Sequence, residues 1–369
     1  MNNFDPSRFV RTDIVAMKPY TPIVPFEVLS ARLGRTPADI VKLDANENPY
    51  GPSPKVKAAI AAGRFYHIYP DPESNQLRDA LSDFVGVSKE RLLAGMGADE
   101  LIDLVLRVVI APGDVVIDCP PSFGMYPFST AVNSGTYHPV PRHADFSLDV
   151  PGIETAVAAH PNAKVLFLCS PNNPNGSVIS DDDLRRLLRL PILVVLDEAY
   201  IDFAEVDGCA SHIQWVEQYD NLAVLRTFSK LAALAGLRVG FGAFPEWLLP
   251  HLWKIKQPYN INVAASLAAL AALDDKGWLR ENVALLVQER NRLLTTLAEI
   301  PYLEPYPSHS NFVLCRVNGR SAHQLKLDLE QEGILVRYFN KPGLDNCIRI
   351  SAGRPQDTDR LLQVLKKLT

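Results

Sequence analysis

Apolar runs alternate with amphipathic stretches through the middle of the chain, and this alternation predicts how that part folds. Residues 164–169 and 192–196 are almost wholly apolar, which is typical of parallel strands buried on both faces of a sheet. Residues 77–84 have helical spacing, and 180–190 begin with a serine suited to cap a helix. From residue 77 to residue 244 the pattern therefore predicts a parallel sheet with helices on both faces, an α/β fold.

The last part of the chain has a different pattern and predicts a smaller unit. Residues 278–300 read as one long amphipathic helix, which we expect to join two domains. The elements expected beyond it form a compact α+β unit, with strands at 311–314, 334–337 and 347–350 and helices at 322–331 and 357–368. We therefore divide the chain into an N-terminal arm with part of the small domain (1–43), a large domain (44–275) and a small C-terminal domain (276–369).

Composition excludes several classes of partner. The 369 residues are 47% hydrophobic and 21% charged, and the formal net charge of -5 with no basic block argues against nucleic acid. The N-terminus lacks an apolar signal region and no later run reaches membrane length, so we expect no membrane association. The five cysteines are far apart and form no Cys-x-x-Cys pair, which favours buried reduced thiols and a cytoplasmic enzyme. The histidines are scattered, so no metal site is expected.

Four side chains that could take part in catalysis or bind a ligand each lie just past a predicted strand. They are Phe123, Asn173, Asp197 and Lys230. Because ligands of parallel sheets gather at the carboxyl ends of the strands, we expect these side chains to meet at one site. Apolar stretches surround the turn that contains Lys230, and burial of an amine lowers its pKa and makes it a usable nucleophile or base.

The neighbours of Lys230 suit a phosphate group. Thr227 and Ser229 supply hydroxyls and Arg238 supplies a guanidinium, a combination that can hold a phosphate. Earlier in the chain, glycines at 95 and 97 precede a predicted helix that runs to residue 110. The free N–H groups at the start of such a helix favour an anion.

Eight short motifs follow one another along nearly the whole chain, and their order is more specific than any one of them. They are Asn-Glu-Asn-Pro-Tyr-Gly at 46, Tyr-Pro at 69, Gly-Ala-Asp-Glu at 97, Pro-Pro-Ser-Phe-Gly-Met-Tyr at 120, Ser-Pro-Asn-Asn-Pro-x-Gly at 170, Asp-Glu-Ala-Tyr at 197, Thr-x-Ser-Lys at 227 and Ala-Gly-Leu-Arg-x-Gly-Phe at 235. In this order they resemble the class I/II aminotransferases, fold-type I enzymes that use pyridoxal 5'-phosphate. The resemblance implies that cofactor, a large domain with a mostly parallel seven-stranded sheet covered by helices, and a small α+β domain.

The resemblance also implies a role for each residue around the cofactor ring. Lys230 would hold the cofactor through its amine and later move the proton between substrate and cofactor. Asp197 would pair with the pyridine nitrogen and keep the ring protonated. Asn173 and Tyr200 would hydrogen-bond the ring hydroxyl. Phe123 would stack on the ring face, at a position where the family often has tyrosine.

The phosphate of the cofactor has its own implied contacts. They are the N–H groups of Ala98 and Asp99, the hydroxyls of Thr227 and Ser229, and the guanidinium of Arg238. In this family Tyr69 reaches that phosphate from the other subunit, which implies a homodimer with shared active sites.

The resemblance also implies that residues of the small domain and of the arm determine which substrate binds. Arg349 matches the arginine that grips the anionic end of the substrate in relatives, and a second guanidinium at Arg337 suits a dianionic phosphate. Tyr20 matches an arm residue that closes over the substrate, and Asn46 is expected near an imidazole end. The expected reaction moves the amino group of L-histidinol phosphate to 2-oxoglutarate, giving imidazole acetol phosphate and L-glutamate, by a ping-pong mechanism in histidine biosynthesis.

Three alternatives stay open at this point. An aromatic amino-acid aminotransferase would use the same scaffold. A threonine-phosphate decarboxylase would use the same cofactor differently, although its relatives lack the Asn-Glu-Asn-Pro-Tyr form found at 46. A non-catalytic sensor domain of a transcription regulator would retain the fold, but no DNA-binding helix-turn-helix is expected before residue 44.

Overall fold

Two β-sheets organise the computed structural model of the protein, which describes residues 5–19 and 26–368. The strands, in chain order, are β1 (Val41–Leu43), β2 (Leu92–Gly95), β3 (Val115–Asp118), β4 (Thr136–Pro139), β5 (Ala163–Cys169), β6 (Leu193–Asp197), β7 (Leu222–Thr227), β8 (Gly240–Ala243), β9 (Leu303–Pro305), β10 (Phe312–Val317), β11 (Ile334–Tyr338) and β12 (Cys347–Ser351).

The large sheet confirms the expected α/β class. Within the described residues it has seven strands in the order β2-β8-β7-β6-β5-β3-β4. All neighbouring pairs are parallel except those of β8, which runs antiparallel to β2 and to β7. Strand β4 was not predicted, because its side chains are exposed or half-buried and it ends in a proline at the sheet edge. An edge strand of this kind lacks the apolar run that marks the central strands.

Helices cover both faces of this sheet and one face of the small sheet. In chain order they are α1 (Thr12–Ala16), α2 (Phe26–Leu33), α3 (Pro54–Ala62), α4 (Asn75–Val85), α5 (Ala98–Val109), α6 (Met125–Val132), α7 (Val150–Ala159), α8 (Asp181–Leu187), α9 (Ile201–Val206), α10 (Phe228–Leu231), α11 (Leu249–Ile255), α12 (Val263–Asp274), α13 (Lys276–Leu297), α14 (Ala322–Gln331) and α15 (Pro355–Lys367). Helix α8 ends three residues before the expected boundary, because Pro191 disfavours helical geometry in the residue before it.

Alternate residues of the central strands enter two different cores. Along β6, Val194 and Leu196 face the core that continues into the small sheet, whereas Leu193 and Val195 face the core under α5 and α11. This two-residue period is the pleat of a strand buried on both faces. Both faces of the sheet are therefore covered, and its carboxyl edge is left to present polar side chains.

The small sheet ties the start of the chain to its end. Within the described residues it has five strands in the order β1-β11-β12-β10-β9. Strand β1 pairs parallel with β11, and β11 pairs antiparallel with β12 so that Arg337 faces Arg349. The long helix α13 packs on α9, which follows strand β6 of the large sheet. It also packs on strand β10 of the small sheet and on α15, which follows β12, so it contacts both units. The division at residues 43 and 275 stays a prediction.

The cysteines agree with the expectation of unpaired thiols. All five cysteines are free, and Cys209 is the one that is not buried. Over residues 5–19 and 26–368, no helix combines the length and the apolar character needed to cross a membrane.

Candidate active site

A cavity of about 180 Å³ opens at the carboxyl edge of the large sheet, where β5, β6 and β7 end. Residues that follow β1 form the facing wall. The cavity brings together most of the side chains that the sequence singled out, namely Ala98, Asp99, Phe123, Asn173, Asp197, Tyr200, Thr227, Ser229, Lys230 and Arg238.

Lys230 lies on the short helix α10, which begins directly after β7. Thr227 caps this helix, since its hydroxyl accepts a hydrogen bond from the Ser229 N–H at 3.1 Å. The Nζ atom of Lys230 donates to the Ala45 carbonyl at 3.1 Å. Burial, and secondly the Arg349 guanidinium, lowers the pKa of Lys230 to about 8. The amine therefore has a sizeable neutral fraction near neutral pH, as a nucleophile or base requires.

Asp197 is the last residue of β6 and its carboxylate is buried. Its Oδ2 accepts a hydrogen bond from the Tyr126 hydroxyl at 2.8 Å, and its Oδ1 accepts one from the Ala199 N–H at 3.0 Å. Burial raises the pKa of Asp197 to about 6, while both hydrogen bonds favour the charged form. A cationic ring nitrogen placed beside this carboxylate would stabilise the ionised form further.

Tyr126 is a site residue to which the sequence reasoning gave no role. It is fully buried, stacks on Phe167 with ring centroids 4.7 Å apart, and meets the edge of Phe123 at 5.6 Å. The available signal was its place at the end of the motif at 120, a stretch interpreted as a flat surface for a planar ligand. Its hydroxyl instead orients the carboxylate of Asp197.

The start of helix α5, the start of α10 and one arginine form an anion cup, made of Ala98, Asp99, Thr227, Ser229 and Arg238. The hydroxyl of Thr227 lies 2.9 Å from that of Ser229, and the Arg238 guanidinium donates to the Asp99 carboxylate at 2.8 Å. Free N–H groups at the N-terminus of a helix attract an anion.

Two glycines allow the parts of the anion cup to approach one another. Gly97 has a φ of +76°, and a Cβ there would lie 2.8 Å from Arg238 Nη2. A Cβ on Gly240 would lie 2.8–2.9 Å from backbone atoms of Arg226, Gly97 and Ala98. Strand β8 and the start of α5 therefore need a residue without a side chain at position 240.

Tyr200 and Asn46 meet behind the cavity wall. The Asn46 amide donates to the Tyr200 hydroxyl at 3.0 Å, and its oxygen accepts from Ser351 Oγ at 3.0 Å. Asn46 is buried, whereas its neighbours Ala45 and Glu47 line the cavity. The structure thus places the Asn46 amide on Tyr200, and a contact with the imidazole end of a substrate stays a prediction. Burial raises the pKa of Tyr200 to about 12.

Arg349 on β12 is buried next to the cavity. Its Nη1 donates to the Asn173 side chain at 2.5 Å and its Nη2 donates to the Asp44 carbonyl at 2.9 Å. Arg337, opposite it on β11, is half-buried and lies 5.7 Å from the Phe339 ring. Across the described part of the chain, Arg337 makes no hydrogen bond and no ion pair, and its guanidinium lies on the same face of the sheet as that of Arg349.

Tyr69 lies away from the cavity. Tyr69 is 79% exposed, stacks on Tyr259 at 4.6 Å and lines a separate surface hollow of about 510 Å³. It does not reach the cavity of its own chain. Tyr20 falls outside the described residues.

The residues of the cavity fit pyridoxal 5'-phosphate. A buried carboxylate, an amine whose pKa is lowered and an anion cup match the ring nitrogen, the aldehyde and the phosphate of that cofactor. Among residues 5–19 and 26–368, no group of three or more His, Cys, Asp or Glu side chains could hold a metal ion.

Comparison with known proteins agrees with this geometry. The family described as aminotransferase class I and II matches residues 38–365, which is most of the chain. The chain belongs to this family. It is therefore an enzyme of the pyridoxal-phosphate-dependent aminotransferase class, as the motifs predicted.

Two sequence relatives and one solved structure illustrate the match, and these three have the same name. The chain is 54% identical to the chloroplastic histidinol-phosphate aminotransferase of Nicotiana plumbaginifolia, over 97% of this chain and 86% of that protein. It is 51% identical to the histidinol-phosphate aminotransferase of Roseiflexus castenholzii, over 97% and 98% of the two chains. The crystal structure of histidinol-phosphate aminotransferase from Sinorhizobium meliloti in complex with pyridoxal-5'-phosphate matches with a TM-score of 0.86. Its sequence is 29% identical, and the match covers 100% of this chain and 99% of that one.

Proposed function

We propose that this chain transfers the amino group of L-histidinol phosphate to 2-oxoglutarate in histidine biosynthesis, with pyridoxal 5'-phosphate as cofactor. The observation that supports this substrate is the pair of facing arginines on β11 and β12, Arg337 and Arg349, the second of which hydrogen-bonds Asn173 in the wall of the cavity. Two guanidiniums match a phosphate dianion better than a single carboxylate. The shared name of the relatives supports the same substrate.

The residues around the ring have distinct parts in the proposed reaction. When bound, the cofactor supplies an electron sink that stabilises negative charge at the amino-bearing carbon. Asp197, oriented by Tyr126, keeps a proton at the ring nitrogen. Asn173 and Tyr200 would hydrogen-bond the ring hydroxyl, and Phe123 would cover one face of the ring.

Lys230 moves the proton in this proposal. Its amine would hold the cofactor before the substrate arrives and would then be free to move the proton between the amino-bearing carbon of the substrate and the cofactor. The pKa of about 8 allows the neutral amine to accept a proton and the charged amine to give it back near neutral pH.

The anion cup fixes the cofactor at its phosphate. The N–H groups of Ala98 and Asp99, the hydroxyls of Thr227 and Ser229, and Arg238 supply donors on one side of the cavity. This attachment keeps the ring in place through both halves of a ping-pong reaction.

Arg349 and Arg337 would bind the substrate phosphate, Tyr20 would close over it, and Asn46 would contribute near the imidazole end. The contact of Arg349 with Asn173 supports this arrangement, because it places the anion-binding guanidinium directly beside a residue of the cofactor site.

A homodimer with shared sites belongs to the same proposal. Tyr69, Tyr66, Ile68 and Tyr259 form an exposed aromatic surface around the hollow, and large exposed apolar patches mark interaction sites. From this surface Tyr69 would reach the phosphate held by the partner subunit. We also propose a cytoplasmic location, which the free, mostly buried cysteines support.

A comparison of amino donors tests the proposed substrate. The purified enzyme is assayed with 2-oxoglutarate and L-histidinol phosphate, L-histidine or L-phenylalanine, and kcat/KM is measured for each. We expect the phosphate ester to give the highest value. A preference for phenylalanine would instead identify an aromatic aminotransferase, and release of carbon dioxide from threonine phosphate would identify a decarboxylase.

A further inference from the structure

Glu47 is a carboxylate of the cavity wall that has no part in the reaction described so far. Its side chain is 46% exposed, and its Oε2 accepts a hydrogen bond from Lys42 Nζ at 2.6 Å. Its Oε1 has no hydrogen-bond partner in the part of the chain that the structure describes. The other two acids of the cavity already have partners, since Asp99 pairs with Arg238 and Asp197 with Tyr126. Glu47 therefore has one carboxylate oxygen that can contact a substrate.

The backbone from Asp44 to Glu47 runs along the cavity and sets the order of its contacts. The Asp44 carbonyl accepts from Arg349 at 2.9 Å, and the Ala45 carbonyl accepts from Lys230 Nζ at 3.1 Å. Asn46 has a left-handed φ of 54° and buries its amide against Tyr200. The next side chain, Glu47, is back in the cavity wall. A guanidinium, the reactive amine and a carboxylate therefore follow one another along four residues.

An amino donor bound in this order has its phosphate at Arg349 and its amino-bearing carbon at Lys230, so its remaining substituent extends toward Glu47. We propose that Glu47 accepts a hydrogen bond from the imidazole N–H of the donor and selects this heteroaromatic ring over a phenyl ring. A phenyl ring would cover the carboxylate without giving it a hydrogen bond, and an unpaired polar group in a binding site costs affinity. Lys42 fixes the carboxylate in position.

This inference rests on the proposed function, because it takes L-histidinol phosphate as the donor. Its test compares L-histidinol phosphate with L-phenylalaninol phosphate, which has the same phosphate and amine but no ring N–H. The ratio of the two kcat/KM values is measured for the wild type, for Glu47→Gln and for Glu47→Ala. We expect this ratio to fall about ten- to a hundred-fold in Glu47→Ala and less in Glu47→Gln, since the amide keeps an acceptor oxygen.

Two controls separate selectivity from general damage. The half-reaction with L-glutamate, followed by the absorbance of the cofactor, should change less than about two-fold in both variants, because glutamate has no imidazole. Glu246→Gln removes a matched ion-paired carboxylate, bound to Arg91 at the surface, and should leave the ratio unchanged.

The outcomes distinguish the two proposals. An unchanged ratio in both Glu47 variants, or an equal loss for the two phosphate esters, overturns the role of Glu47 while the proposed function stands. A wild-type enzyme that does not turn over L-histidinol phosphate overturns the proposed function, and the role of Glu47 with it.

Discussion

Burial shifts the pKa values of two side chains of the cavity, and it shifts them in opposite directions. Burial penalises charge, so it lowers the pKa of Lys230 to about 8 and raises that of Asp197 to about 6. Without a ligand, both groups therefore lose charge more easily than they would in water. A cationic ring bearing an electrophilic carbon complements both of them.

At the residue scale, Lys230→Ala tests the reactive amine. We expect turnover to fall about a thousand-fold or more, because the variant loses the amine that accepts the proton. Circular dichroism should show an intact fold, and the exposed-lysine variant Lys57→Ala should keep its activity. Near-normal turnover in Lys230→Ala would remove the proposed mechanism.

Asp197 gives a second prediction at this scale, for the cofactor-free protein. The folded-state pKa of about 6 lies above the ordinary value of 3.8, so the folded protein holds this proton more tightly than the unfolded chain does. The stability that this protonated group contributes is fully present below about pH 4 and is lost as the pH rises through 6. Asp197→Asn does not titrate, so its free energy of unfolding relative to wild type should rise by about 2 kcal/mol between pH 4 and pH 7.

Urea unfolding at pH 4 and pH 7 measures this difference. Asp220→Asn, which removes an exposed carboxylate outside the site, is the control. A constant difference between Asp197→Asn and wild type across this range would contradict the assigned cause of the shift.

At the element scale, the cavity depends on how closely β8 approaches the start of α5. Gly240 lies at that contact, and its missing side chain lets strand and helix share one edge of the anion cup. The apolar runs predict the strand and the helix separately. The distance between them is set by backbone packing, which a hydrophobic pattern does not encode.

Gly240→Ala tests this contact. The added methyl group meets backbone atoms at 2.8–2.9 Å, which cannot move as a flexible side chain could, so β8 and α5 must separate. We expect a loss of about 1–3 kcal/mol of stability and weaker cofactor binding, measured by urea unfolding and by titration with pyridoxal 5'-phosphate. Gly236→Ala, nearby but facing open space, should change neither quantity.

At the scale of the whole molecule, one implied phosphate contact lies on the outer surface instead of in the cavity. Tyr69 is exposed and packs on Tyr259, at the rim of the aromatic hollow. An exposed position is what the proposed contact of Tyr69 with the phosphate in a second copy of the chain requires. The single chain therefore has a cavity that lacks one of its implied contacts.

Co-expression of two variants tests this sharing of sites. Tyr69→Ala should weaken cofactor binding, and Lys230→Ala should be inactive. Mixed dimers of these two variants have one site with both defects and one with neither, so co-expression should restore roughly a quarter of wild-type activity. Sedimentation should give a dimer for both. Trp247→Ala, an exposed aromatic elsewhere, should bind cofactor normally, and a monomeric wild type would contradict the shared site.

The sequence by itself determined the class of fold and most of the cavity. Apolar runs of strand length that alternate with helices can be buried on both faces only in a covered parallel sheet. The carboxyl ends of such strands meet at one edge, so polar residues that follow them, such as Asp197 and Lys230, are brought together by topology alone. The order of the motifs then identified the family.

Only the tertiary structure decided which neighbour of a pair enters the cavity. Asn46 and Glu47 are adjacent in one polar motif, yet the first is buried against Tyr200 and the second lines the cavity. The contact of Tyr126 with Asp197 likewise joins residues far apart in the chain. A local sequence pattern can predict whether a residue is buried. The partner of a polar group depends on the packing of distant segments, because each buried donor and acceptor is paired by whichever segment the fold brings beside it.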